Sequence, residues 1–170
     1  MDYLYAPWRS AYTEGVVRSK EPNVPASECV FCGKLADHSD EQHFVLRRFG
    51  RTVVLLNLFP YNAGHLLIMP LAHCAELEQL DAETQSEMMW LVSKSTRILK
   101  DVLGAEGMNI GLNLGKAGGA GVPAHLHIHV LPRWTGDTNF LPTLAETKQI
   151  SFDLNDIYTK LKPVFDELEQ

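Results

Sequence analysis

Three histidines stand on alternate residues in AHLHIHVLPRW, at His125, His127 and His129, out of seven in a chain of 170 residues. Residues i, i+2 and i+4 of a β-strand share one face, so the three imidazoles line up ~6.5–7 Å apart while Leu126, Ile128 and Val130 face a core. Two kinds of chemistry use such a row. Imidazoles at i and i+2 can share a zinc ion. Alternatively, a neutral imidazole attacks phosphorus while its neighbours hold the anionic oxygens. The loop just upstream favours the second, because Gly115, Gly118, Gly119 and Gly121 with Lys116 let backbone N–H groups approach an anion closely. A second set of chemical residues, Cys29 and Cys32 in ECVFCGKL, has a spacing open to a zinc knuckle, a redox motif or chance. A redox pair would open a helix after a strand in a βαβ unit, a context absent here.

These residues must be held by one ordinary domain, given the chain length. Hydrophobic residues make up 45% and charged residues 21%, the mixture of a soluble globular protein. No apolar run approaches the ~18–20 residues that span a bilayer, and the N-terminus lacks a secretory pattern. A net charge of −6 argues against a nucleic-acid polymer as partner. It does not oppose a small anion held by a few local donors. Three cysteines make no disulfide framework, so a reducing cytoplasm is the expected compartment.

Residues 1–28 read as an irregular N-terminal arm. Strands are expected at 44–49, 52–58 and 64–70, the second apolar on both faces and therefore central. A long helix follows, capped by Asp81 and stopped at Gly104, with Met88, Leu91, Val92, Ile98 and Leu99 at helical spacing. Strands at 108–114 and 125–132 flank the glycine loop. A last helix is expected over 153–168, kinked or limited by Pro163. The pattern is α+β, a mostly antiparallel sheet with one long helix and a C-terminal helix.

The segment His125-Leu126-His127-Ile128-His129-Val130-Leu131 resembles the signature of the histidine triad (HIT) superfamily of nucleotide hydrolases and transferases. NLFPYNAGHLLIMPLAH (57–73) and GLNLGKAGGAGVPAHLHIHVLPRW (111–134) extend the resemblance over about residues 29–140, a HIT domain, with 141–170 a C-terminal extension packed on it. The branch most similar comprises fragile-histidine-triad-like dinucleoside polyphosphate hydrolases and diadenosine tetraphosphate phosphorylases. The resemblance implies that His127 attacks the α-phosphorus, giving a nucleotidyl-histidine that water or another acceptor resolves, and that His129 supports the phosphate. It assigns Asn57 to the ribose, Asn113, Lys116, Gly119 and Gly121 to the phosphates, and His65 to a place beside the nucleotide. Leu55 and Leu67 could wall the base pocket, although both also read as ordinary core. An adenine nucleotide is the expected ligand and a homodimer the expected assembly. Phosphorylases of this kind carry a hydroxyl or amide a few residues before the triad. Here Ala120-Gly121-Val122-Pro123 has neither, which leaves hydrolysis ahead of phosphorolysis. A nucleoside phosphoramidate hydrolase is a further alternative, weakened because the loop lacks a serine.

Zinc-containing members of the superfamily look similar around the cysteine pair. They imply a structural zinc on Cys29, Cys32, His73 and His125, with no organic cofactor; Cys74, beside His73, should point elsewhere. His38 and His43 read as surface residues. Trp8, Trp134 and Arg133 read as packing anchors or a surface ion pair, with a nucleotide contact the less expected role.

Overall fold

Every residue of the TVVLL run is buried, and the reason is its place in the sheet. The computed structural model describes residues 25–140, 144–145 and 152–169. The N-terminal arm up to residue 24, Trp8 included, and residues 141–143 and 146–151 lie outside the described residues. Five strands, β1 (Val45–Arg48), β2 (Thr52–Leu56), β3 (Leu66–Pro70), β4 (Gly107–Leu112) and β5 (Ile128–Arg133), form one antiparallel sheet in the order β1-β2-β3-β5-β4. Helix α1 (Val30–Ala36) covers one face; α2 (Ala82–Leu103) and α3 (Leu154–Asp166) cover the other.

The two faces carry separate cores. Val54, Leu56, Ile68, Leu126, Ile128 and Val130 join Leu91 and Leu99 of α2 and Leu161 and Phe165 of α3. Val53, Leu55, Leu67 and Met69 point the other way and pack with Phe31 and Leu35 of α1. A strand covered on both sides has no solvated face, hence the unbroken apolar run.

The helix ends follow local chemistry. Asp81 accepts from Thr84 N–H at 2.7 Å, and Gly104 closes α2 in the left-handed region at φ 65°. Helix α3 runs through Pro163 instead of stopping there. The proline removes the bond to the Thr159 carbonyl, but both residues are exposed, so solvent can satisfy that oxygen. Arg47 Nη1 donates to the carbonyls of Phe165, Asp166 and Leu168, tying the end of α3 to β1.

Two departures from the sequence reading bear on the site. Helix α1 was not expected, because seven residues with a glycine inside carry little helical pattern; Cys29 is its N-cap. Strand β5 begins at Ile128, three residues later than expected. Its ladder with β3 ends at the Ile68–Ile128 pair; beyond that, Pro70 has no N–H to offer, and Leu126 N–H turns to the Cys74 carbonyl at 2.7 Å. Among the described residues no helix is long and apolar enough to cross a membrane.

Candidate active site

Although His125 and His127 precede the strand, the alternation persists. The His127 and His129 ring centroids lie 4.9 Å apart, and Phe31 of α1 meets both His125 and His127 edge-on at 5.7 and 5.3 Å. The three imidazoles share the α1 face but have different partners, and these partners decide which nitrogen carries a proton. His125 Nε2 donates to the Pro70 carbonyl at 2.9 Å, which leaves Nδ1 as its lone-pair nitrogen. His127 Nδ1 donates to the His125 carbonyl at 2.7 Å, which leaves Nε2 as its lone-pair nitrogen.

His129 has the opposite polarity, set by a relay from β3. The Tyr61 N–H donates to His65 Nδ1 at 3.2 Å, so His65, fully buried, carries its proton on Nε2. That nitrogen donates to His129 Nδ1 at 2.9 Å, and the His129 proton is therefore on Nε2. This Nε2 is buried and has no partner among the described residues. One wall thus presents an acceptor nitrogen on His127 and a donor nitrogen on His129.

Burial lowers both His125 and His127 below the ordinary imidazole value. Burial, then repulsion from His129 and His127, brings His65 down to about 4; burial, then His127, does the same for His129. Unfolded imidazoles titrate near ~6.5, so between that pH and about 4 the unfolded chain takes protons the folded chain refuses. Stability is therefore full above ~6.5 and falls as the pH drops toward the folded values. We expect the melting temperature to decline measurably between pH 7 and pH 5; a flat profile over that interval would contradict the paired neutral state of His65 and His129.

A cavity of ≈ 290 Å³ opens beside this wall. Asn57, Asn113, Gly121, His127 and His129 line it, as do Leu55 and Leu67. A second cavity of ≈ 220 Å³ adjoins it, sharing Tyr61, Asn113 and His129 and reaching His65 and Asn109. Lys116 and Gly119 belong to the glycine loop but do not line either cavity. The N–H groups of Gly119 and Ala120 bond to Lys116 and Gly115 within the loop, and Asn113 Nδ2 donates to the Gly119 carbonyl at 3.4 Å. Val30, Phe31, Lys34, Phe59 and Tyr61 also line the first cavity. Sequence reading did not reach them, since three lie on the unexpected helix and two in a turn; the exposed aromatics in FPY were the available signal.

The turn carrying these aromatics is pinned from both ends. Asn62 Nδ2 donates to the Pro132 carbonyl at 3.1 Å and to Asp137 at 2.8 Å. Asp137 pairs with Arg133 at 2.6 Å, and this pairing holds its carboxyl well below the usual range. Arg133 thus forms an ion pair at the end of β5, and Trp134 packs on the larger core. Gly64 ends the turn at φ 71°, where an added Cβ would lie 2.5 Å from Leu103 Cδ1. Gly64→Ala should cost about 2–4 kcal/mol through the left-handed backbone and overpacking, read as a lowered denaturation midpoint. An unchanged midpoint would refute the close approach.

On the far side of His125 lies the cysteine pair. His125 Nδ1 faces Cys29 Sγ at 3.6 Å and Cys32 Sγ at 3.5 Å, and His73 Nδ1 meets Cys32 Sγ at 3.2 Å. The four ligand atoms lie within 4.8 Å of one another, and the three sulfur–nitrogen separations of 3.2–3.6 Å are close to the ~3.5 Å expected between such ligands of a tetrahedral zinc with Zn–S ~2.3 Å and Zn–N ~2.0 Å. Burial and the adjacent Cys29 push the Cys32 thiol up to about 11, a cost that a divalent cation would offset. Cys74 faces the other core. His38 is exposed, and His43 pairs with Asp37 at the surface at 2.6 Å.

Comparison with known proteins agrees with this geometry. A family model described as "HIT domain" matches residues 39–136. An AP-4-A phosphorylase of Mycobacterium tuberculosis is 37% identical over 153 residues, 90% of this chain and 78% of that protein. A bis(5'-nucleosyl)-tetraphosphatase (asymmetrical) of Schizosaccharomyces pombe is 30% identical over 93 residues, 55% of this chain and 50% of the other. The crystal structure of a Zn-bound histidine triad family protein from Mycobacterium smegmatis superposes with a TM-score of 0.68 at 25% identity, covering 84% of this chain and 96% of that one. With its antiparallel sheet, its row of three histidines and a family match over more than half its length, the chain belongs to the HIT domain family.

Proposed function

We propose that the protein is a nucleotide-cleaving enzyme that opens dinucleoside polyphosphates at the α-phosphorus through a nucleotidyl-His127 intermediate. The observation that carries this is the opposite polarity of two neighbouring nitrogens, an acceptor on His127 and a buried donor on His129 that has no partner among the described residues. His127 Nε2 attacks phosphorus, an N–P bond forms, and the bond from phosphorus to the bridging oxygen breaks as the remaining nucleotide leaves with the electron pair. His129 Nε2–H donates to the oxygen on which charge builds up. An acceptor then attacks phosphorus, and the N–P bond breaks. Asn57 is suited to the ribose diol, Asn113, Gly121 and the loop with Lys116 and Gly119 to the phosphates, and the second cavity to the leaving portion.

Water is the acceptor that the loop chemistry favours, since 120–123 offers neither hydroxyl nor amide side chain. Phosphate is the second reading, favoured by likeness to the M. tuberculosis protein over most of the chain. Incubation with diadenosine tetraphosphate with and without inorganic phosphate separates them. Hydrolysis gives AMP and ATP in both cases, whereas phosphorolysis gives ADP and ATP only with phosphate. No cleavage of any dinucleoside polyphosphate would overturn the proposal, and preferential cleavage of a phosphoramidate would favour the third reading.

Cys29, Cys32, His73 and His125 would hold a zinc ion with all four positions filled. Bound there, it would join the α1 segment to the catalytic histidine row and leave no position for an activated water. We also propose a homodimer formed through β4. Among the described residues this edge strand exposes Ile110 and Leu112, with Leu114 just beyond, and no further strand pairs with it; such an apolar edge invites a further strand. Ile110→Lys should shift the sedimentation coefficient from dimer to monomer; a wild-type monomer at all concentrations would refute the assembly.

A further inference from the structure

Lys34 lies in the wall of the cavity beside His127 with no described anion to neutralise it. Among the described residues it is the only lysine or arginine that lines this cavity, and no carboxylate among them pairs with it. Half-buried on α1, it loses hydration, which lowers its pKa. Its place along the cavity decides what it can meet. The histidines that face phosphorus stand at β5, whereas the end of α1 is fastened over β1 and β2. There Leu35 packs with Val45, Val53 and Leu55, and Arg48 Nη1 holds the Leu35 carbonyl at 2.9 Å. In the strand order, β2 and β5 are two spacings apart, about 10 Å. Lys34 therefore belongs to the β2 end of the cavity beside Leu55, with Phe31 and Leu67 between it and the histidines, apolar residues suited to the faces of a flat heterocycle.

We propose that Lys34 is the base-selecting residue of this site, favouring bases with a carbonyl on the exposed edge, guanine over adenine and uracil over cytosine. An ammonium has three donors and no acceptor. It can donate to the O6 and N7 of guanine or the O4 of uracil, whereas the exocyclic amino groups of adenine and cytosine present a donor to a donor. A site that meets a carbonyl with a partly desolvated charge discriminates because the mismatched base leaves that charge unpaired. The family resemblance implies an adenine nucleotide, and Lys34 argues for an oxo base in its place. The inference rests on the nucleotide-cleaving reading.

The test is calorimetric titration of the full chain with GMP, AMP, UMP and CMP, repeated on Lys34→Met and Lys34→Glu. Wild type should bind GMP over AMP and UMP over CMP by about tenfold, the scale of one charge-assisted hydrogen bond. Lys34→Met, which keeps the length and apolar stem, should bring both ratios to within about twofold by weakening the oxo bases. Lys34→Glu, an acceptor without donors, should reverse both. Wild-type ratios near one, or ratios that Lys34→Met and Lys34→Glu leave unchanged, overturn the role of Lys34 while the nucleotide site stands. Failure of all four monophosphates to bind overturns the nucleotide reading, and this inference with it.

Discussion

His127→Asn should abolish turnover of diadenosine tetraphosphate while leaving nucleotide binding intact. Asparagine retains a side-chain N–H able to reach the His125 carbonyl, the one hydrogen bond the imidazole makes among the described residues, so the fold has little to lose. It has no nitrogen lone pair with which to attack phosphorus. Loss of a covalent nucleophile acting with its neighbours typically costs on the order of 10⁴-fold or more in kcat. Quenching the wild-type reaction in an alkaline denaturant should trap a nucleotidyl-protein adduct, since a P–N bond to imidazole survives base while the unfolded chain no longer runs the second half-reaction, and the His127→Asn protein should show none. Wild-type rates in the variant, or an adduct that persists without His127, would refute the nucleophile. His129→Ala tests the other half of the pair. It deletes the donor, and with it the Nδ1 that accepts from buried His65, so some stability should be lost as well; the loss expected in kcat is smaller, about 10²–10³-fold, as when one charge-stabilising donor is removed.

The other large effect should come from the cysteine pair. Cys29→Ser should lower bound zinc from one equivalent per chain to near none, measured by elemental analysis. Stability should fall by several kcal/mol, because the free energy of a structural metal is folding free energy. The consequence should extend to the cavity. Cys29 and Cys32 flank Val30 and Phe31, two residues that line it, and His125 offers its ring to the cysteines while its carbonyl orients His127. Chelation should therefore raise KM and lower the melting temperature together. Wild-type protein purified without metal but with full stability would overturn the zinc proposal. Loss of kcat alone, with Tm unchanged, would point instead to a metal at the reacting centre.

Much of this molecule was legible along the chain. Period-two and unbroken apolar runs located β1 to β3, and the second run marked a strand covered on both faces. Asp81 and Gly104 marked the ends of α2 because an N-cap and a left-handed stop act within one turn and need no tertiary partner. The triad, the asparagines and the cysteine pair were visible as residue types at telling intervals. Three imidazoles two residues apart remain on one side whether or not the ladder reaches them, so the late start of β5 left the row intact.

Other properties came only from residues distant in sequence. The seven residues of α1 have too little pattern to announce a helix, and their apolar face is defined by Leu55 and Leu67 on the sheet. Lys34 reads on the chain as one surface lysine among many, and only the packing of Leu35 on β2 puts it in a cavity wall. The difference among His125, His127 and His129 is also tertiary. Their local sequences are nearly alike; Pro70 and His65, both distant in sequence, fix where the protons of His125 and His129 sit, whereas His127 bonds locally to the His125 carbonyl. The sequence alone thus determined which groups are present and on which side of the strand they lie, because alternation is a local property of the backbone. Their protonation, polarity and neighbours were decided by the fold, because a hydrogen bond between residues 65 and 129 exists only when two strands meet.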